Sequence, residues 1–316
     1  MVSRITFCRK NGTCGFFLTS FLLIIFSRYL YAGPGNFDID IKGVAGSVYP
    51  WPVTSGLPFP RGEIKNLSQV RIMDGGKQVP SQVDLASSWP DGSIRWALAS
   101  FTALPGARYK VEYGRGVKSS DYPYPLKVEY RQDGGFTVYT GLAIYRFERD
   151  GLLPEDAWLL SGNLKIPLLE GSGSGAYLVD NSGREARVAG AAAEIKNEVL
   201  KEGPGRFVIK RSGWYVTPSG ERIAKADVWL YFYSGTPFVK ITHSIVFTED
   251  TNKIWFKDYG LEFRTPSLPE YVYSSSGGAE KEDVTRIAAQ GSEIYMLQDQ
   301  FPHFAEREYR AVIGAC

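Results

Sequence analysis

Apolar and polar residues alternate with a period of two along most of this chain, which is the pattern of half-buried β-strands. Between residues 56 and 101, such runs are separated by turn sequences, DGG at residues 74–76 and WPDG at residues 89–92. Val70 and Ile72 share one face of the first run. The pattern therefore predicts consecutive β-strands that are joined by tight turns.

The run from residue 93 to residue 101 alternates regularly. Its spacing predicts that Ile94, Trp96 and Leu98 face a core, while Arg95 and the small residues between them face the other way. Because adjacent residues of a strand point to opposite faces, Arg95 and Trp96 should not contact one ligand together. We therefore expect Trp96 in the core and Arg95 in a structural salt bridge.

Flanking runs extend this pattern into a first domain. Residues 37–42 and residues 107–113 alternate in the same way. With about six strands, the domain would span residues 35–117. Residues 118–125 contain two prolines, two serines and no apolar period, so we predict a linker there.

A second all-β domain is predicted from residue 126 to residue 316. Residues 126–147 indicate a meander of three strands, and residues 226–247 carry the strongest strand signal of this half. There Val228, Leu230 and Phe232 share one face while aromatic residues occupy the other, as expected for a strand deep in a sandwich. Residues 294–297 and 309–313 also have the pattern of strands.

Residues 184–200 are the one segment where a helix competes seriously. Three consecutive alanines and the spacing of apolar residues favour a helix by propensity. The GPG sequence at residues 203–205 and the alternating run after it favour a hairpin instead. We predict the hairpin.

Three motifs in fixed order resemble the first domain of the exo-rhamnogalacturonan lyases and their YetA-like relatives. They are GLPFPRGE at residues 56–63, VRIMDGGKQVPSQV at residues 70–83 and WPDGSIRWA at residues 89–97. The segment SGTPFVKITH at residues 234–243 resembles the second domain of that family. The resemblance implies a small RIFT-type barrel, then an antiparallel β-sandwich, then a large α/α toroid. It also implies an acidic plant polysaccharide, rhamnogalacturonan, as the substrate, degraded by β-elimination.

The sequence stops at residue 316 within an apolar run, which we interpret as a fragment that is truncated before the toroid. The toroid would then be an intramolecular partner of the two β-domains. We expect it to carry most of the catalytic groups.

Residues 1–32 have the pattern of a secretory signal peptide. Basic residues come first, an apolar run follows at residues 16–26, and small residues lie around Ala32. The run is short for a membrane span. We expect cleavage near Ala32 and a secreted or periplasmic protein; the alternative is an uncleaved N-terminal anchor.

The charge distribution gives no sign of a nucleic-acid partner. The chain has 36 basic and 34 acidic residues, and four of the basic residues lie in the signal-like segment. The remainder has 32 against 34, a net charge of about −2, and no basic run. An acidic polysaccharide would have to be bound by local arginines or lysines.

Cysteine and histidine are scarce. Cys8 and Cys14 lie in the signal-like segment and Cys316 is the last residue, so we expect no disulfide in the mature chain. The two histidines, His243 and His303, do not have zinc-ligand spacing. The sequence thus indicates neither a metal site nor a cofactor.

No constellation of catalytic residues can be identified, although β-elimination needs a cation beside the uronate carboxylate, a base and an acid. For substrate binding we name His303, which lies in a polar segment with Gln298 and Asp299. Arg95 is a further candidate because a guanidinium matches a carboxylate. His243 is another, but it lies in an apolar row, so we expect mainly a hydrogen-bonded core residue.

Three functions stay open. The first is the N-terminal, non-catalytic portion of a secreted, pectin-degrading, lyase-like protein. The second is a stand-alone secreted carbohydrate-binding or structural β-module. The aromatic content of 14% fits this module, although strand cores favour aromatic residues as well. The third is a complete enzyme housed in the sandwich, which the scarcity of histidine disfavours, so whether this chain is an enzyme stays open.

Overall fold

The computed structural model describes residues 35–42, 50–171, 173–250 and 252–266, and the backbone of four short strands beyond them. Within these residues the secondary structure consists of β-strands and two short 3₁₀ turns, Leu67–Gln69 and Ala191–Ala193. The predicted all-β fold is confirmed. A search of the described residues finds no helix with the length and apolarity that a bilayer span requires.

The first domain has seven strands in two antiparallel sheets, one strand more than predicted. The strands are β1 (Gly35–Asp40), β2 (Trp51–Pro58), β3 (Val70–Asp74), β4 (Lys77–Val79), β5 (Ser81–Ser88), β6 (Ile94–Ala103) and β7 (Arg108–Tyr113). One sheet has the order β1-β7-β3-β4 and the other the order β2-β6-β5. The two sheets enclose a single hydrophobic core.

Apolar side chains at alternate positions of the strands fill this core. Val70 and Ile72 on β3 are fully buried, as their spacing predicts. Phe59 packs edge to face on Tyr113 with 5.1 Å between the ring centroids, and Phe37 on β1 contacts both rings. Full burial of one such apolar side chain stabilises a fold by about 1.5–3 kcal/mol.

The predicted facing of β6 is wrong over part of its length. Ala97 and Ala99 are fully buried, whereas Trp96 is 43% exposed and Leu98 is also exposed. The reason is a double irregularity between β5 and β6, where Ser88 pairs with Ile94 and Ser87 with Trp96, so that Arg95 has no partner on β5. Such a bulge shifts the alternation by one residue. Arg95 and Trp96 are therefore both exposed.

The second domain is a sandwich of two antiparallel sheets. The first sheet contains β8 (Lys127–Tyr130), β9 (Phe136–Tyr139), β10 (Ala143–Phe147), β11 (Asp156–Ser161) and β12 (Leu164–Leu169). The second contains β13 (Gly175–Asp180), β14 (Glu185–Arg187), β15 (Lys196–Lys201), β16 (Arg206–Val216), β17 (Arg222–Tyr233), β18 (Val239–Phe247) and β19 (Phe256–Glu262). Its order is β18-β17-β16-β14-β13-β19, and β15 pairs with β16.

Aromatic rings join the two sheets of the sandwich. Phe136 and Phe147 of the first sheet are stacked with 4.5 Å between centroids. Phe207 and Phe232 of the second sheet pack against this stack, and all four side chains are buried. Val228, Leu230 and Phe232 point into this core, as the alternation along β17 predicts.

The hairpin predicted after residue 195 is present, since β15 and β16 pair antiparallel. The run of alanines before it forms only a single 3₁₀ turn, which ends at Glu194 in the left-handed region with φ of 51°. The backbone also shows β20 (Val272–Tyr273) paired with β21 (Ile287–Ala288), and β22 (Ile294–Gln298) paired with β23 (Ala311–Ala315). The strand predicted at residues 294–297 is confirmed, and the one predicted at residues 309–313 is confirmed from Ala311 onward.

Polar contacts join the first domain to the hairpin of β15 and β16. Gln82 is 7% exposed, and its Oε1 accepts hydrogen bonds from the backbone N–H groups of Gly205 and Arg206 at 2.9 and 3.0 Å. Asp84, two residues further along β5, forms an ion pair with Lys201 of β15 at 2.5 Å. These contacts place the end of the hairpin directly on the outer face of the sheet β2-β6-β5.

The segment between the domains, predicted as a linker at residues 118–125, contains no strand. It nevertheless packs at the junction, because Tyr122 donates a hydrogen bond to the carbonyl of Ser100 at 3.0 Å and its ring lies against Gly205. A Cβ atom at Gly203 would collide with Gln82, and one at Gly205 with Tyr122. The GPG sequence thus allows the hairpin to approach the first domain closely.

We predict that Gln82→Ala lowers the free energy of unfolding by about 1–3 kcal/mol, because one buried and one half-buried N–H group lose their acceptor. Urea denaturation of the purified chain measures this change. Gln132→Ala, at an exposed position of the β8–β9 turn, is the matched control and should leave stability within about 0.5 kcal/mol of wild type. Equal stability of all three proteins would contradict a structural role for Gln82.

Candidate functional site

The Arg95 corner, which we define as Trp89, Arg95 and Trp96, lies at one end of the first domain. It is formed where β5 ends, turns through residues 89–92 and continues into β6. Gly92 adopts φ of 78°, which suits a tight turn. All three side chains are exposed or half-buried.

Asp91 stabilises the turn that carries this corner. Its Oδ1 accepts hydrogen bonds from the backbone N–H and the hydroxyl of Ser93 at 3.0 and 2.6 Å, and Arg61 donates to its Oδ2 at 2.9 Å. The hydrogen bonds from Ser93, with that from Arg61, lower the pKa of Asp91 to about 2. The carboxylate is therefore charged and fully engaged in the turn, as the sequence predicts for a turn-forming residue.

Arg95 does not form the predicted salt bridge in the described part of the chain. Instead, its guanidinium carbon lies 4.8 Å from the ring centroid of Trp89. The indole N–H of Trp89 donates to the carbonyl of Phe59 at 3.1 Å, and the N–H of Phe59 donates to the carbonyl of Arg95 at 2.9 Å. The Trp89 ring is thereby fixed as a support for the exposed cation.

Trp96 lies beside Arg95 in the chain, against the backbone of Gly56 on the neighbouring strand β2. A Cβ atom at Gly56 would lie 3.6 Å from the Trp96 ring. With 43% of its surface exposed, the indole offers solvent a flat apolar face. The prediction that Trp96 is a core residue is wrong, because the bulge at Arg95 turns it outward.

An exposed guanidinium and an exposed indole can together bind an acidic sugar. A guanidinium donates two parallel hydrogen bonds to a carboxylate, and an aromatic face packs on the apolar side of a pyranose ring. The corner could thus bind one uronate unit. Arg95 was identified from the sequence, but the availability of Trp96 beside it was not.

His243 has the environment predicted for a core histidine. It is half-buried on β18, and its Nε2 lies 2.8 Å from the hydroxyl of Tyr215, which is fully buried on β16. Burial lowers the pKa of His243 and raises the pKa of Tyr215. A neutral imidazole that accepts from the phenol satisfies both groups.

The remaining candidates cannot be placed in a site. Gln298 ends β22, of which the structure describes only the backbone. Asp299 and His303 lie outside the described residues. Their predicted role in substrate binding stays a prediction.

Arg211 is a buried cation that the sequence analysis missed. It is fully buried in the sandwich, where its Nε donates to Asn197 at 2.8 Å and its Nη2 donates to the carbonyl of Glu148 at 2.8 Å. Burial lowers the pKa of Arg211 to about 10, so it remains charged at neutral pH. Its inward position on β16 was readable from the alternation, but its acceptors come from distant segments.

Arg95, His243 and Arg211 do not converge on one point. Arg95 belongs to the first domain, while His243 and Arg211 belong to the second. Within the described ranges, no group of three or more carboxylate, imidazole or thiol side chains could hold a metal ion. The Arg95 corner is therefore better suited to binding than to proton transfer.

Two family models match the chain. Residues 41–114 match the PcRGLX-like N-terminal RIFT barrel domain, and residues 172–274 match the PcRGLX-like protein central beta sandwich domain. Both models belong to a rhamnogalacturonan lyase-like family. The predicted order of a RIFT barrel and a β-sandwich is confirmed. The boundaries of 35–117, 118–125 and 126–316 stay predictions.

A search of the curated proteins finds no match. Among solved structures, the chain resembles an alpha-mannosidase from Enterococcus faecalis V583 with 11% sequence identity and a TM-score of 0.35. The alignment covers 84% of this chain and 35% of the mannosidase chain. The chain thus spans about a third of the length of that enzyme.

We predict that His243 makes the folded chain less stable as the pH falls. Because its pKa is lowered by burial, the unfolded chain binds the proton more readily than the folded chain. Its contribution is fully present above the ordinary histidine pKa of about 6.5 and decreases as the pH falls below that value. Urea denaturation at pH 7.5 and pH 5.5 should therefore show a larger loss of stability in wild type than in His243→Gln.

His303→Gln is the matched control for this experiment, because it removes the only other histidine of the chain. It should keep the pH dependence of wild type. If His243→Gln showed the same loss between the two pH values as His303→Gln, His243 would not be the group responsible.

Proposed function

We propose that this chain is the N-terminal, non-catalytic portion of a secreted, pectin-degrading protein that resembles the exo-rhamnogalacturonan lyases. The observation that carries the proposal is the succession of the two matched domains, barrel then sandwich, on one chain. The signal-like residues 1–32, the kinship with YetA-like relatives and an α/α toroid as intramolecular partner are parts of this proposal.

The separation of Arg95 from His243 supports a non-catalytic role. β-Elimination from a uronate needs a cation at the carboxylate, a base at the adjacent C–H and an acid at the leaving oxygen, all within hydrogen-bond reach of one sugar. Arg95 has its support from Trp89, an aromatic residue, and His243 is engaged by Tyr215 in the other domain. Arg95 could supply the cation, and His243 could supply the base or the acid. Because the two residues lie in different domains, they do not act together on one sugar.

We predict that the purified chain does not cleave rhamnogalacturonan. Incubation with the polymer, followed by ultraviolet absorbance of unsaturated uronate products, should give the rate of a boiled sample. A rhamnogalacturonan lyase in a parallel reaction is the positive control. Product formation by the wild-type chain above the boiled sample would place the catalytic groups within these residues and overturn the non-catalytic role.

A second candidate function is a carbohydrate-binding module, and the Arg95 corner is the observation that favours it. The exposed guanidinium rests on Trp89, and the exposed Trp96 indole lies next to it in the chain. This pairing fits one uronate unit at the end of a short oligosaccharide. The function does not depend on a toroid.

We predict that Arg95→Ala weakens binding of digalacturonate at least tenfold, because a charge-assisted hydrogen bond contributes about 1.5–3 kcal/mol. Calorimetric titration measures the affinity. Arg95→Lys should give an intermediate affinity, since it keeps the charge and loses the planar fork. Arg149→Ala, an exposed arginine of the second domain, is the control and should bind as wild type does. Equal affinities for the methyl ester of the ligand and for digalacturonate itself would contradict recognition of the carboxylate.

A further inference from the structure

The outer face of the strands β16, β17 and β18 carries aromatic rings that are covered by lysines. Alternation along β17 sends Leu230 and Phe232 into the core, so Trp229 and Tyr231 point outward. Trp214 on β16 points outward as well. We define the ring–lysine face by six residues that these strands place outward: Trp214, Trp229 and Tyr231 with Lys225, Lys210 and Lys240.

Each ring lies directly opposite one lysine in the strand ladder. Tyr231 pairs with Lys240, Trp229 with Lys210, and Trp214 with Lys225. The three lysine nitrogens lie 5.2, 5.0 and 4.5 Å from the centroids of those rings. Three cross-strand rows therefore repeat one pairing of a flat apolar surface with a cation.

The rows form an extended strip. On β17 they are centred at residues 231, 229 and 225. At about 3.4 Å per residue, the strip is about 20 Å long. A ligand that contacts all three rows must itself be extended and must repeat its chemistry along its length.

The strip carries a net positive charge. The three strands contain Asp227 as their only acidic residue, against five outward-facing basic residues and the buried Arg211. Asp227 neutralises Lys210, with an Nζ–Oδ2 distance of 3.0 Å. Lys225 and Lys240 form no ion pair with any of the described residues.

Arg206 extends the same face next to the first domain. Its guanidinium carbon lies 5.6 Å from the Tyr231 centroid. Its Nε is buried and has no hydrogen-bond partner in the described part of the chain. A buried donor without an acceptor is costly, so a movement of the Arg206 side chain toward an anionic group would be favoured. Three further carboxylates lie beside the face. Glu194 forms an ion pair with Arg222, Glu198 lies opposite Lys210 in the ladder, and Asp84 forms an ion pair with Lys201.

We propose that the ring–lysine face binds an extended acidic polysaccharide. The lysines swing from the rings to the carboxylates of uronate units, and the uncovered rings pack on the sugar faces between them. Nucleic acid fits less well, because protein domains that bind nucleic acid carry a large positive net charge. By contrast, this chain has a net charge of about −2 outside its first 32 residues. The site is argued from this face alone, while the choice of a uronate polymer rests on the proposed function.

The test is the binding of polygalacturonate to the purified chain, measured by calorimetric titration. Lys225→Glu and Lys240→Glu should each weaken binding at least fivefold, and the double variant at least twentyfold. Lys165→Glu is the matched control, because Lys165 lies 3.7 Å over Trp158 in an isolated pair on the other sheet. It should change the affinity less than twofold. Circular dichroism and the melting temperature check that each variant folds.

Ligand chemistry and length distinguish binding at this face from binding elsewhere on the chain. Fully methyl-esterified polygalacturonate should not bind, and galacturonate oligomers that extend less than about 20 Å should bind more weakly than the polymer. The proposal fails if Lys165→Glu matches the double variant, if the wild-type chain does not bind, or if single-stranded DNA binds more tightly than the polymer. It also fails if Arg95→Ala abolishes polymer binding while the double variant does not.

The outcome is independent of the lyase assay. Binding without unsaturated products supports both proposals. Failure to bind leaves the non-catalytic role intact, and product formation leaves the ring–lysine face intact.

Discussion

The long ladder between β16 and β17 is the constraint on which the second domain depends. Residues from Arg206 to Val216 pair with residues from Tyr233 back to Arg222, and one irregularity interrupts the pairing near Tyr215. Phe207, Ile209, Leu230 and Phe232 all point inward from this ladder. A slip by one residue would turn the lysines inward and these apolar side chains outward, so burial fixes the register. The same register places each outward ring opposite a lysine.

Arg211 is the exception to the apolar interior, and its surroundings explain why the fold tolerates it. The guanidinium carbon lies 5.4 and 5.3 Å from the centroids of Phe136 and Phe147, the stacked pair of the facing sheet. Asn197 and the carbonyl of Glu148 accept two of its hydrogen bonds, and Nη1 has no partner in the described residues. The cation connects the hairpin, the second sheet and the first sheet. Its removal would take away the contacts that join these three elements.

The sequence predicted most of the strands, because most segments keep one phase of alternation throughout. Prediction failed at β6, where the bulge at Arg95 depends on how β5 pairs with it. The sequence of one strand does not show where the pairing with its neighbour leaves a residue without a partner. The ring–lysine pairs were missed for the same reason. Lys240 and Tyr231 are opposite each other only through the ladder of β17 and β18. His243 was placed correctly as a core residue, but its partner Tyr215 was not predicted.

The junction between the domains connects the two surfaces that could bind sugar. Lys201 pairs across the ladder with Val208, and Val208 pairs with Tyr231, so Lys201 lies on the first row of the ring–lysine face. The same Lys201 forms the ion pair with Asp84, which lies opposite Leu98 on the outer face of the first domain. The contact between Asp84 and Lys201 therefore joins the first domain to the first row of the ring–lysine face. Because Gln82 fixes the hairpin with two hydrogen bonds, the strip keeps a defined position relative to β6. A polymer held on the strip would reach the first domain at a fixed point, which a flexible linker could not provide.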